Sequence, residues 1–201
     1  MKAIAFDAYG TLFDVFSVTA LGEDTLRSLM GRHRDFSRVT EDALVYTARS
    51  LGLDLTPDRR ARRLEAYLTL AAFPDVKPGL EALKRRGLRL AVLSNGEPKM
   101  LEAAARSAGI VDLLDEILSV EEVKIFKPSP RVYHLAPEHL RVRPAEVGFV
   151  SSNSWDVAGA ASAGLETFWI QRRAAEPPEE LGFTADRTVR TLTDLSALLG
   201  E

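Results

Sequence analysis

Ala3-Ile4-Ala5-Phe6-Asp7-Ala8-Tyr9-Gly10-Thr11-Leu12-Phe13-Asp14 is the stretch on which the fold turns. Four apolar residues stop at a carboxylate, and Gly10 and Thr11 follow at the spacing of a tight turn. A continuous apolar run this short fits a strand buried on both faces, not one face of a half-exposed sheet. Comparable runs recur at residues 88–93, 116–120, 147–150 and 167–170, each bounded by turn residues and followed by a helix-like segment. The alternation predicts an α/β fold: a doubly wound, Rossmann-like parallel sheet with helices on both faces. Ligands of such sheets bind outside the carboxyl ends of the strands, where every polar cluster described below falls.

Between the first and second runs lie far more residues than one crossover needs, and their periodicity is helical. Helices are expected at residues 23–32, 41–51 (with Thr40 as N-cap), 58–70 (after Thr56-Pro57) and 77–86. The last returns the chain to the sheet. The first three predict a small helical cap lobe at residues 15–74, inserted into an α/β core of residues 1–14 and 75–201. Residues 172–180, with Pro177-Pro178, read as a surface loop before a final strand and helix near 188–199.

Composition narrows the function. The 201 residues carry 26 Lys and Arg against 29 Asp and Glu, a net charge of −3, so no basic face is offered to nucleic acid or an anionic membrane. The absence of cysteine excludes a disulfide scaffold, a thiol nucleophile and a Cys-ligated zinc site. The three histidines, at 33, 134 and 139, form no H-E-x-x-H pattern, which argues against a histidine metal site. Met1-Lys2 leads straight into the first apolar run, unlike a signal peptide, and no stretch approaches the roughly 18 apolar residues of a membrane span. A cytoplasmic, soluble protein is expected.

Four clusters carry polar chemistry. Asp7, with Gly10 and the Thr11 hydroxyl, sits where backbone N–H groups can converge on an anion; alone, it would equally read as a turn residue. Ser94-Asn95-Gly96 ends the second strand and opens a helix near Glu97-Pro98, a pattern that serves an anion pocket or a plain turn. In Phe126-Lys127-Pro128-Ser129-Pro130-Arg131-Val132-Tyr133, Pro128 keeps Lys127 out of helix and Tyr133 follows on the next helix, so ammonium and phenol can face the sheet edge. A lone lysine is more often a solvated surface charge. Ser151-Ser152-Asn153-Ser154-Trp155-Asp156 follows the strand at 147–150 and fits either a site or a helix cap.

In order and spacing, D-x-Y-G-T-L-F-D, S-N-G, F-K-P-x-P-x-x-Y and S-S-N-x-W-D resemble the L-2-haloacid dehalogenases of the haloacid dehalogenase superfamily. Leu26-Arg27-Ser28-Leu29-Met30 and Thr40-Glu41-Asp42-Ala43-Leu44 extend the likeness through the lobe, over residues 2–172. The resemblance implies metal-independent, cofactor-free hydrolysis of short L-2-haloalkanoic acids to D-2-hydroxy acids through an ester on Asp7. It assigns Asp156 to the attacking water, Asn153 and Ser151 to its geometry, Lys127 to the charge of Asp7, and Tyr133 and Thr11 to holding carboxylate and lysine. Ser94 and Asn95 would receive the substrate carboxylate, and Tyr9, Trp155 and Phe36 would wall the halogen and alkyl group. Phe36 also reads as ordinary lobe core. The partner is a small 2-haloacid, and the resemblance leaves a homodimer through the lobe open.

The superfamily's Mg²⁺-dependent phosphatases place an acidic residue where this chain has Tyr9, and another in the fourth cluster where Ser152 and Asn153 stand, which argues against phosphoryl transfer. One departure weighs the other way. The resemblance places a halide-gripping arginine on a first lobe helix, yet here the lobe is about one helix short and Thr19 to Thr25 contain no arginine. A cation 4 Å from a departing anion is worth roughly 4 kcal/mol at an effective dielectric of about 20, or about 10³ in rate. Arg27, Arg32, Arg34 and Arg38 are the substitutes within the lobe. Two alternatives therefore stand beside dehalogenation: an inactive domain that binds a small carboxylate, and, third, a Mg²⁺-dependent phosphatase.

Overall fold

The computed structural model describes residues 1–14, 21–172 and 177–200. Its elements are β1 (Ala3–Phe6), α1 (Leu21–Leu29), α2 (Phe36–Ser50), α3 (Pro57–Glu65), α4 (Val76–Arg85), β2 (Arg89–Ser94), α5 (Pro98–Ser107), β3 (Glu116–Ser119), α6 (Pro130–Tyr133), α7 (Leu135–His139), β4 (Val147–Ser151), α8 (Ser154–Ser162), β5 (Glu166–Ile170), β6 (Arg187–Val189) and α9 (Leu192–Leu198). The six strands form one all-parallel sheet in the order β3-β2-β1-β4-β5-β6. All four β1 residues are fully buried, as the unbroken apolar run requires.

β1 lies between β2 and β4, so the chain reverses its direction of winding beside it. In open parallel sheets that switch point leaves a crevice at the carboxyl ends. The register sets Phe6 against Val92 and Val150, which brings the ends of β1, β2 and β4, and hence Asp7, Ser94 and Ser151, to one edge. Phe6, Leu80, Leu90, Phe149 and Phe168 fill the core around these strands without measurable exposure. Gly79 permits α4 to press against α9, since a Cβ there would lie 2.4 Å from Leu192 Cβ.

The three helices expected before α4 appear with changed bounds: the first, expected at 23–32, is α1 and ends at Leu29. Thr56 caps α3 by accepting from Arg59 N–H, as expected, but the third helix tightens into a 3₁₀ turn at Ala66–Thr69. Thr40 is not an N-cap: α2 begins four residues earlier, at Phe36. The physical reason is Glu97, whose carboxylate reaches across from the core to accept the N–H of Ser37, satisfying a first-turn donor that Asp35 leaves unserved. Phe36 and Val39 belong to the same apolar cluster as the sheet, so α2 packs into the core around the strands. Of residues 172–180, read as a surface loop, 173–176 lie outside the described residues, as do 15–20 of the expected lobe. Arg172 itself corrects that reading. Its guanidinium is buried, donates twice to Thr11 C=O (3.1 and 2.9 Å), pairs with Asp75 at 2.7 Å and covers the Phe73 ring.

Candidate active site

Asp7 stands one residue past β1, its N–H held by Val150 C=O. Gly10, at φ +79°, turns the chain back so that Thr11 faces the carboxylate. Asp7 Oδ2 accepts from the Thr11 hydroxyl (3.1 Å), Asn153 Nδ2 (3.1 Å) and Ser151 Oγ (3.4 Å). The Thr11 oxygen also accepts the Ser152 N–H at 2.8 Å, locking the β1 turn to the β4 turn. Asp7 Oδ1 accepts from Lys127 Nζ at 3.0 Å.

Lys127 is no surface charge. Its side chain is 1% exposed, and the ammonium lies 3.0 Å from Asp7, 2.9 Å from Asp156 Oδ2 and 5.0 Å over the Phe149 ring. Burial alone would push the ammonium toward neutrality, but Asp156 and Asp7 outweigh it and hold its pKa above the ordinary value. Tyr133 donates to Asp156 Oδ1 at 2.7 Å, and burial, then the Asp156 charge, keeps that phenol firmly protonated. Asp156 is pushed up to about 6, first by burial and further by the Asp7 charge, with Lys127 and Tyr133 opposing. The result is a buried file: Asp7, Lys127, Asp156, Tyr133.

At β2, Asn95 Oδ1 accepts the Lys127 N–H at 3.0 Å, which turns its NH₂ away from that backbone. Ser94 is fully buried, with Oγ accepting from Gly96 N–H at 3.1 Å, and Ser119 Oγ donates to Gly96 C=O at 2.7 Å. Tyr9 stacks on Phe36 (centroids 5.3 Å apart, planes at 6°), and Tyr67 meets both rings edge-on. The Tyr9 hydroxyl is buried without a hydrogen-bond partner among the described residues, and burial raises its pKa. Trp155 lies half-buried on the first turn of α8 and takes no part in this ring cluster.

A profile of the haloacid dehalogenase-like hydrolases matches residues 1–164. The (S)-2-haloacid dehalogenase of Pseudomonas sp. (strain YL) is 44% identical, over 96% of this chain and 91% of the relative. (S)-2-haloacid dehalogenase 1 of Pseudomonas sp. (strain CBS-3) is 40% identical over 99% and 96%. The chain belongs to the haloacid dehalogenase-like hydrolases, in their L-2-haloacid dehalogenase branch. Among solved structures, the L-2-haloacid dehalogenase from Xanthobacter autotrophicus with chloropropionic acid covalently bound superposes with a TM-score of 0.91 at 35% identity, covering 100% of this chain and 98% of that one. The match to the strain YL dehalogenase runs over 213 aligned positions but takes in only about 193 residues of this chain, so the relative carries about 20 more within the span.

Of the dehalogenase residues expected from sequence, Asp7, Thr11, Lys127, Tyr133, Ser151, Asn153 and Asp156 meet in one hydrogen-bonded cluster, with Asn95 on the Lys127 backbone. Tyr9 and Phe36 meet beside it. Two lobe arginines are already engaged: Arg27 pairs with Asp42 at 2.8 Å, and Arg38 with Glu41 and Asp42. Sequence reasoning missed Tyr67, Phe149 and Glu97. Their roles depend on contacts between distant segments that no local pattern marks. His33, Asp35 and Glu121 place potential ligand atoms within 4.8 Å of one another, but Glu121 already pairs with Lys124 and His33, which fills the place of a cation.

Gly159 makes room for this arrangement. A Cβ there would lie 2.4 Å from Tyr133 Oη and 2.9 Å from Pro128 Cβ. Gly159→Ala is expected to displace the phenol from Asp156 and lower kcat for halide release about 10-fold or more, at a stability cost of about 1–3 kcal/mol. Steady-state kinetics beside urea unfolding checks this; unchanged kcat would show that Tyr133 does not set Asp156.

Proposed function

We propose that the protein hydrolyses short L-2-haloalkanoic acids to D-2-hydroxy acids through an ester on Asp7. The observation that carries this is the buried file Asp7–Lys127–Asp156, in a chain 44% identical to an (S)-2-haloacid dehalogenase. α1, α2 and α3 act as a cap over the site. The substrate carboxylate is received by Asn95 Nδ2, Ser94 and the N–H groups of Ala8 and Tyr9, which donate to no acceptor among the described residues. Tyr9, Phe36, Tyr67 and Trp155 wall the halogen and the alkyl group.

Asp7 Oδ2 is saturated by three donors, so Oδ1, bonded only to Lys127 among the described residues, keeps the free lone pair. Oδ1 attacks C2 from the side opposite the halogen. The carbon–halogen bond breaks, halide leaves with the electron pair, and C2 inverts. Halide needs no proton to depart, so a tyrosine at position 9 costs the reaction nothing. Asp156 then takes a proton from water as its oxygen attacks Cγ of Asp7. Negative charge develops on Oδ2, where Thr11, Ser151 and Asn153 already point their donors. The tetrahedral centre collapses by breaking Cγ–Oδ1. The departing alkoxide regains the proton through Lys127, which touches both Oδ1 and Asp156.

The test is chloride release from (S)-2-chloropropanoate with chiral analysis of the product. Stoichiometric D-lactate, unaffected by chelators, is expected; product of retained configuration, or binding of the acid without turnover, would overturn the reading. A homodimer through the lobe is part of the proposal. Leu26, Leu29 and Met30 from α1 and its end, with Tyr46 on α2, are each more than half exposed, and large exposed apolar groups on adjoining helices suit a protein contact. Sedimentation equilibrium should give twice the chain mass, reduced to one by Leu29→Glu; a monomeric wild type would refute it. No helix among the described residues is long and apolar enough to cross a membrane.

A further inference from the structure

The backbone that carries Lys127 is held partly by the lobe. Its N–H is fixed from the core, by Asn95 Oδ1 at 3.0 Å, but its C=O accepts from the Thr25 hydroxyl of α1 at 3.2 Å. The preceding N–H, of Phe126, donates to Ser28 Oγ of α1 at 3.3 Å. The His33 ring, between α1 and α2, stacks on Phe126 with centroids 4.9 Å apart and planes at 30°. His33 is anchored in turn: its Nε2 lies 3.0 Å from Glu121 Oε1, in the turn after β3, and Glu121 also pairs with Lys124. Phe126 is buried beneath the imidazole.

We propose that His33 is a positioning residue for Lys127: by stacking on Phe126 it fixes the peptide from which the ammonium reaches Asp7 and Asp156, with Ser28 and Thr25 holding the same peptide by hydrogen bonds. The Lys127 ammonium at the end of that side chain lies about 3 Å from each of two carboxylates, so a shift of the Phe126–Lys127 backbone disturbs both contacts at once. Glu121 supplies the fixed point in the core that keeps the imidazole flat on the ring. The inference rests on the assignment of Lys127 to the proposed dehalogenase machinery, and it makes the lobe a part of the catalytic geometry as well as a cover for it.

The test compares His33→Ala with His33→Phe, which keeps the stack and loses the bond to Glu121. Two readouts are taken on the full chain: kcat and KM for 2-chloropropanoate, and the ¹⁵N shift of the Lys127 ammonium. Misplacement of a catalytic group by about 1 Å costs up to about 100-fold, so His33→Ala should lower kcat about 10-fold or more with KM little changed, and move the Lys127 signal. His33→Phe should recover part of both, the remaining loss measuring the Glu121 anchor, and circular dichroism checks that each variant is folded. Unchanged kcat and an unmoved Lys127 signal in His33→Ala would overturn the proposal, as would equal losses in the two variants. A wild type that releases no halide would sink the dehalogenase reading instead, while the Lys127 signal would still report whether His33 holds the lysine.

Discussion

Asp7→Asn is expected to reduce halide release to the uncatalysed level with the fold intact. The amide keeps the volume of the carboxylate and an oxygen for the donors Thr11, Ser151 and Asn153, but it offers C2 no anionic lone pair. Loss of the nucleophile removes the covalent route altogether. Because Lys127 keeps Asp156 as its partner at 2.9 Å, the variant leaves no buried ammonium uncompensated, and unfolding should show a change far smaller than the loss of activity. The companion measurement uses wild type in excess over substrate in ¹⁸O-water. Water attacks Cγ of Asp7, so after a single turnover the label must lie in the Asp7 carboxylate and the first product must carry none. Label in that product would mean that water attacks C2 directly, and residual turnover by Asp7→Asn above background would point the same way.

The strands that build the site were legible because each is buried on both faces, and burial on both faces leaves a continuous apolar run. The same holds for the ends of β1, β2 and β4, where Asp7, Ser94 and Ser151 interrupt those runs. The lobe was less legible. α2 shares a core with the sheet through Phe36 and Val39, so its boundary answers to contacts from elsewhere. Glu97 moves the start of α2 by serving a donor that no residue near Thr40 serves. Arg172 reads as a loop cation by composition, yet it braces the turn that follows Asp7 from 161 residues away. Tyr67 lies in a stretch with no turn or cap signal, and its contact with Tyr9 exists only once the 3₁₀ turn brings it over the site. Arg38 stands three and four residues before Glu41 and Asp42 on α2, a pairing that helix spacing already allows, whereas the pairing of Arg27 with Asp42 joins two helices and no local spacing marks it.

Asp156→Asn should separate the two half-reactions. Alkylation of Asp7 does not use Asp156, so one equivalent of halide should appear in a burst. The ester then waits for water without its base, and hydrolysis should slow by about 10²–10⁴-fold. Intact mass should show the protein heavier by one carboxyalkyl group. The pH dependence follows from the charges. In the free protein Asp156 is pushed up to about 6, by burial and by the neighbouring Asp7 anion. Its native pKa exceeds the unfolded value, so from the ordinary carboxylate range up to about 6 the native state binds the proton that the unfolded state has released, and this group's contribution to stability falls as pH rises through that window. Esterification makes Asp7 neutral. Asp156 then loses the repulsion and keeps Lys127 at 2.9 Å and the Tyr133 hydroxyl at 2.7 Å, both of which favour the anion. The base is therefore ionised in the intermediate at pH values where half of it is protonated in the free protein. Decay of the ester, followed by quenching and mass analysis, should lose rate in acid with a midpoint below about 6, while carboxyl ¹³C NMR of the free protein should find Asp156 titrating near 6. A decay midpoint above the free-protein value would mean that Asp156 is not the group that takes the proton from water.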